Sequence, residues 1–193
     1  MADPDIHGAR RAASQLLEEY CITDPTQICI HDIAYDRHVL VREEDLIGAE
    51  GRLLRKGQWG IVRVRPNPLY PGRVRFSIAH ELGHWERHMQ LSQAWLCSSR
   101  DIHAYSGSAA EIEANAFAGE LLMPSSLLRP KIYGGLSIAM LCDVASEFDT
   151  SLTATAVRAI EETDEDAYVI FSQDGITLDV KCNGPFSAQN ESK

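Results

Sequence analysis

The chain is short of the cysteine pairs that would staple a fold. Its five cysteines, Cys21, Cys29, Cys97, Cys142 and Cys182, are odd in number, far apart and never spaced as CxxC. That pattern argues against a disulfide framework and against a thiolate zinc site, so they read as thiols without a structural role. Positive charge is short too: 18 Lys and Arg stand against 28 Asp and Glu, a formal net charge of −10. Binding to nucleic acid or to an anionic membrane needs clustered cations, so neither partner is expected. Long apolar runs are missing, and the opening "MADPDIHGARRAASQLLEEYC" begins acidic and carries charge throughout. It suits neither a signal peptide nor a membrane span, and a cytoplasmic protein is expected. Internal repeats and low-complexity blocks are also lacking.

What is present is a globular composition. The 193 residues are 45% hydrophobic, enough to bury a core of one-domain size. A single domain is expected over residues 1–182, with "NGPFSAQNESK" (183–193) as a flexible tail. The helical spacing of Ala12, Ala13, Leu16, Leu17 and Tyr20 predicts a helix over 9–21. "HVLVRE", "GRLLRK" and "WGIVRVR" predict a small antiparallel sheet over about 38–65, with "KGQ" as a turn. "PNPLYPG" (66–72) reads as a loop leading into a helix over about 75–89. A second helix over about 108–123 stops before Pro124, and helices over 137–148 and 151–162 follow. "AYVIFSQDGITLDV" closes the chain's ordered part as a hairpin turning at Asp174 and Gly175. The fold class is therefore α+β: a small sheet packed on a central helix, a helical C-terminal half and a terminal β-hairpin.

The chemistry lies in "HELGH", residues 80–84. Residues four apart on an α-helix project about 40° from one another, so His80 and His84 can aim their imidazoles at one ion. Glu81, one position on, is turned away from coordination yet can take a proton from a water activated there. With this chain's own His and Glu frequencies, roughly 0.02 such matches are expected by chance, so the motif is informative without being decisive. Zinc suits two imidazoles, although other divalent metals accept the same donors.

A catalytic zinc site usually takes a third protein ligand. The extended pattern HExxHxxGxxH is excluded, because Arg87 and Gln90 stand where its glycine and third histidine would be. His88 lies a further turn along, too far along a straight helix to converge on the same ion, and reads as a group behind a ligand or on the surface. A carboxylate from "EIEAN" is the remaining source, and it offers Glu111 or Glu113. Glu111 has Asn115 four residues on, where an amide could orient a ligand histidine. Against it, "SAAE" (108–111) is also a capping box that would occupy Glu111. Both glutamates stay open on this reading.

"RFSIAHELGHWERH" followed by "EIEANAFAGELLMP" resembles the ImmA/IrrE family of small gluzincin-type metallopeptidases. The joint pattern is specific and covers about 59–163 well. The resemblance implies a zincin-like fold with His80, His84 and Glu111 as metal ligands, Glu81 as general base and Asn115 behind a ligand. It implies a zinc-dependent endopeptidase whose substrate is a helix-turn-helix repressor of the XRE type, often encoded nearby. Candidates for steadying the oxyanion are His103, Tyr105 and His88. The alternative is a metal-stabilised protein that sequesters or remodels a repressor without cutting it.

Overall fold

Asp5 accepts a hydrogen bond from the Gly8 amide and so caps α1, Ile6–Glu19, whose Ala9, Ala13, Leu16 and Leu17 are buried. The helix starts three residues earlier than its apolar spacing predicts, because the cap and not the first apolar residue sets the boundary. The computed structural model describes residues 3–46, 49–88, 94–97 and 108–183. The chain forms two compact units, Met1–Pro124 and Ser125–Lys193.

In the first unit a 3-10 turn (Pro25–Gln27) leads to a short helix, α2, Ile30–Asp36. Strands β1 (Val39–Glu43), β2 (Gly51–Lys56), β3 (Trp59–Val64) and β4 (Ala94–Cys97) form one sheet in the order β1-β3-β2-β4. The sheet is mixed where the sequence predicts an antiparallel one. β2 pairs antiparallel with β3 through the expected turn, but β1 joins the far side of β3 and runs parallel to it. β1 and β3 are not consecutive along the chain, so local chemistry does not specify their pairing and packing decides it. Leu53, Val62 and Val64 are buried, with half-buried neighbours between them.

Helix α3, Pro71–Arg87, lies against β2 and β3. It starts inside the stretch that reads as loop. Proline's missing N–H costs nothing in the first helical turn, so Pro71 opens the helix where it would break one further in. Helix α4, Ala109–Leu122, packs on both α1 and α3. Flanked on two sides, it is buried all round from Ala114 to Leu122 and has no polar stripe. Short α2 anchors the end of α3: the Trp85 indole N–H donates to the Arg37 carbonyl at 2.9 Å, and the Arg37 guanidinium makes two bonds to Glu86 at 2.9 and 3.0 Å.

The second unit holds α5 (Ser125–Ile132), α6 (Ile138–Glu147) and α7 (Leu152–Glu162), followed by the hairpin β5 (Tyr168–Gln173) and β6 (Ile176–Cys182). Ser137 and Ser151 cap α6 and α7 by accepting from Met140 and Ala154 amides. Helix α5 is unexpected from the sequence because Pro130 sits inside it. Asp174 and Gly175 turn the hairpin, both at positive φ. Cys21, Cys29, Cys142 and Cys182 are free thiols.

Candidate metal centre

HELGH occupies the middle of α3, whose residues Phe76 to Trp85 are all buried. His80, Glu81 and His84 have no exposed surface. Burying three ionisable side chains on one helix is costly unless they find partners, so their surroundings decide what they are for.

Those surroundings come mainly from α4, and Gly83 lets it come close. A Cβ at residue 83 would stand 3.1 Å from the Phe117 ring and 3.2 Å from the backbone of Ala114. This crossing brings Glu111 onto the two histidines. His80 Nε2 lies 3.2 Å from one Glu111 oxygen, His84 Nε2 lies 3.4 Å from the other, and the two Nε2 atoms are 3.2 Å apart. All three residues offer a ligand atom within 4.8 Å of the others. Donors bound to zinc at about 2.0–2.1 Å in a tetrahedron are separated by about 3.3 Å, so the spacing suits such an ion.

Proton positions agree with that fit. The Asn115 amide oxygen is 2.9 Å from His80 Nδ1, and an oxygen there can only accept. His80 therefore carries a proton on Nδ1, and a neutral ring then has its lone pair at Nε2, facing Glu111. Burial foremost pushes His84 down to about 4, against the pull of Glu111, so its ring is neutral near neutral pH. Burial works to raise the Glu111 carboxyl, but the nearness of the His80 and His84 rings outweighs this and holds it below the usual carboxylate range. The result is a carboxylate and two imidazoles gathered round one point, a donor set that favours a shared divalent cation.

Glu113 goes elsewhere. Its carboxylate takes bonds from Arg87 at 3.0 and 3.2 Å, lies 3.1 Å from His88 Nε2 and accepts from the Asp5 amide at 3.0 Å. Burial raises it, and these bonds together lower it below its ordinary value. Ser108 holds the N-cap position of α4 without a side-chain cap bond, so the capping box that competes for Glu111 is not formed. His88 is buried at the end of α3, with Nδ1 3.1 Å from His84 Nδ1. His103 and Tyr105 lie outside the described residues.

Glu81 faces the sheet. A Cβ at residue 51 would come within 2.4 Å of its carboxylate, so Gly51 at the start of β2 leaves the room that Glu81 fills. Gly51 carries no motif that sequence reading could have noticed; only the packing of β2 on α3 reveals it.

Residues 34–159 match a peptidase family described as the IrrE N-terminal-like domain. No curated protein matches the chain. Among solved structures, a Mycobacterium tuberculosis transcriptional regulator has a similar fold, with a TM-score of 0.61 and 18% identity over 91% of this chain and 55% of that one. This chain thus spans little more than half the length of that regulator, and the likeness is one of fold. The family match covers well over half of the chain and includes His80, Glu81, His84, Glu111 and Asn115. The chain belongs to the peptidase family of the IrrE N-terminal-like domain.

Proposed function

We propose that the protein is a zinc-dependent endopeptidase acting on a regulatory protein, with a helix-turn-helix repressor of the XRE type as substrate. The observation that carries this reading is the convergence of His80, His84 and Glu111 within 4.8 Å, with the buried Glu81 on the same helix as the two histidines. His80, His84 and Glu111 are the residues that would hold the ion. Bound there, zinc supplies Lewis acidity toward a peptide carbonyl.

The chain's own residues do the rest. Glu81 takes the proton from the attacking water and passes it to the leaving amine nitrogen. Its place on α3, one residue past a ligand, keeps it beside the donors without joining them. Asn115 holds the His80 ring by its Nδ1–H, so the Nε2 lone pair stays aimed inward. Of the candidates for steadying the oxyanion we retain His103 and Tyr105, because both His88 ring nitrogens are turned toward His84 and Glu113. Among the described residues no helix is long and apolar enough to cross a membrane. Work in the cytoplasm, beside a repressor made there, is the setting we propose.

The test pairs the purified protein and its Glu81→Gln variant with an XRE-type repressor. We expect the variant to retain zinc and to cut slower by roughly 10²–10⁴-fold, the usual contribution of a general base. Equal cleavage by both proteins would remove Glu81 from the mechanism. Derepression in cells that survives Glu81→Gln would instead favour sequestration without cleavage.

A further inference from the structure

The two histidines of the metal centre are held from behind in different ways. His80 has one partner, the Asn115 amide oxygen. His84 has a chain of two: its Nδ1 lies 3.1 Å from His88 Nδ1, and His88 Nε2 lies 3.1 Å from a Glu113 oxygen. We propose that Glu113 and His88 are positioning residues, a relay that fixes the proton of His84 on Nδ1 and keeps its Nε2 turned toward His80 and Glu111. The proposal rests on the metal-binding part of the reading above and does not depend on the substrate.

The direction of the relay follows from what each atom can do. A carboxylate only accepts, so the proton between Glu113 and His88 belongs to His88 Nε2. In a neutral imidazole the other nitrogen then carries a lone pair, and His88 Nδ1 must accept. Its neighbour His84 Nδ1 must donate. That leaves the lone pair of His84 on Nε2, where the Glu111 oxygen and His80 Nε2 stand. Reversing any one link would put a proton on His84 Nε2 and close it to a cation.

The far end of the relay is anchored. Arg87 makes two bonds to the same Glu113 carboxylate and a third to Asp5, and the Asp5 amide donates to Glu113. Asp5 in turn caps α1. Helix α4 therefore serves the site with three residues. Glu111 and Asn115 share one face, while Glu113, about 200° round from Glu111, reaches the last turn of α3.

The experiment measures zinc affinity of the full chain by competition with a chromophoric chelator. Loss of a partner behind a ligand costs about 10–100-fold in metal affinity, and this is the fall expected for His88→Ala. His88→Asn places an amide oxygen near the former Nδ1, so it should recover most of that loss. Glu113→Gln should weaken zinc binding in the wild-type background and have no further effect beside His88→Asn, where the link to position 113 is already cut. Melting of the metal-free proteins reports any general structural damage separately.

Zinc binding by His88→Ala equal to wild type overturns the relay. So does a His88→Asn protein as weak as His88→Ala, since that result means lost bulk and not a lost acceptor. If His88→Ala does not fold, the Glu113→Gln comparison decides: equal weakening with His88 and with Asn at position 88 overturns the proposal. A wild type that binds no zinc sinks the metal reading itself, a result distinct from failure of the relay alone.

Discussion

In the first unit His80, His84 and Glu111 bring a carboxylate and two imidazoles to one point. In the second unit Arg158 and Glu162 are buried as well, but they close on each other at 2.6 Å, with Arg129 on the second Glu162 oxygen at 2.8 Å and Ser125 on Arg158 at 2.9 Å. Arg158 and Glu162 stand one helical turn apart on α7, so the second cluster supplies its cation from its own sequence. The first gathers three metal-binding side chains from two helices. Buried charge that neutralises itself acts as a fastener, whereas a carboxylate and two imidazoles converging on one point suit an ion from outside.

The comparison can be broken most directly with zinc. At free zinc about 1,000-fold above its Kd, binding stabilises the folded wild type by roughly 4 kcal/mol. His84→Ala, deprived of one donor, should show almost none of this shift in a thermal melt. An equal shift in both proteins would mean that the ion binds somewhere else.

Arg158→Met tests the other side. Removing one partner of a buried pair costs about 3–5 kcal/mol, and the low end applies because Arg129 still faces Glu162. The loss, read from the denaturant midpoint, should be the same with and without zinc. Replacing Glu162 by Leu in the same chain should return much of it, because no buried charge is then left alone.

The smallest effect sharpens the role of the helix crossing. Gly83→Ala gains about 1 kcal/mol of helix propensity, against about 1–3 kcal/mol for crowding Phe117 and the Ala114 backbone. We expect net destabilisation of about 1 kcal/mol together with weaker zinc binding, since α4 carries Glu111. A more stable variant with unchanged zinc affinity would show that close approach at residue 83 is not what seats Glu111.

Much of this architecture is legible wherever the signal is local. The "KGQ" turn joins β2 to β3, Pro124 ends α4, Ser151 caps α7, and Asp174 with Gly175 turns the final hairpin. What is not legible has a physical reason in each case. Helix α2 is seven residues long, too short for apolar periodicity to declare itself. Pro130 hides α5, and Pro71 hides the first turn of α3. The parallel pairing of β1 with β3 joins strands that no turn connects.

The metal centre divides the same way. The spacing of His80, Glu81 and His84 was determined by the sequence alone, because a helix of 3.6 residues per turn turns that order into two neighbours and a flank. Asn115 behind Glu111 follows from the same period. The sequence left Glu111 and Glu113 as equals in kind, two carboxylates on one short segment. Only the tertiary structure decided which of them stands beside His80 and His84. α3 and α4 meet at Gly83 and Ala114, which sets Glu111 against the two rings and leaves Glu113 to Arg87 and His88. A helix's period acts within a few residues, whereas a contact between positions 80 and 111 depends on how two helices cross.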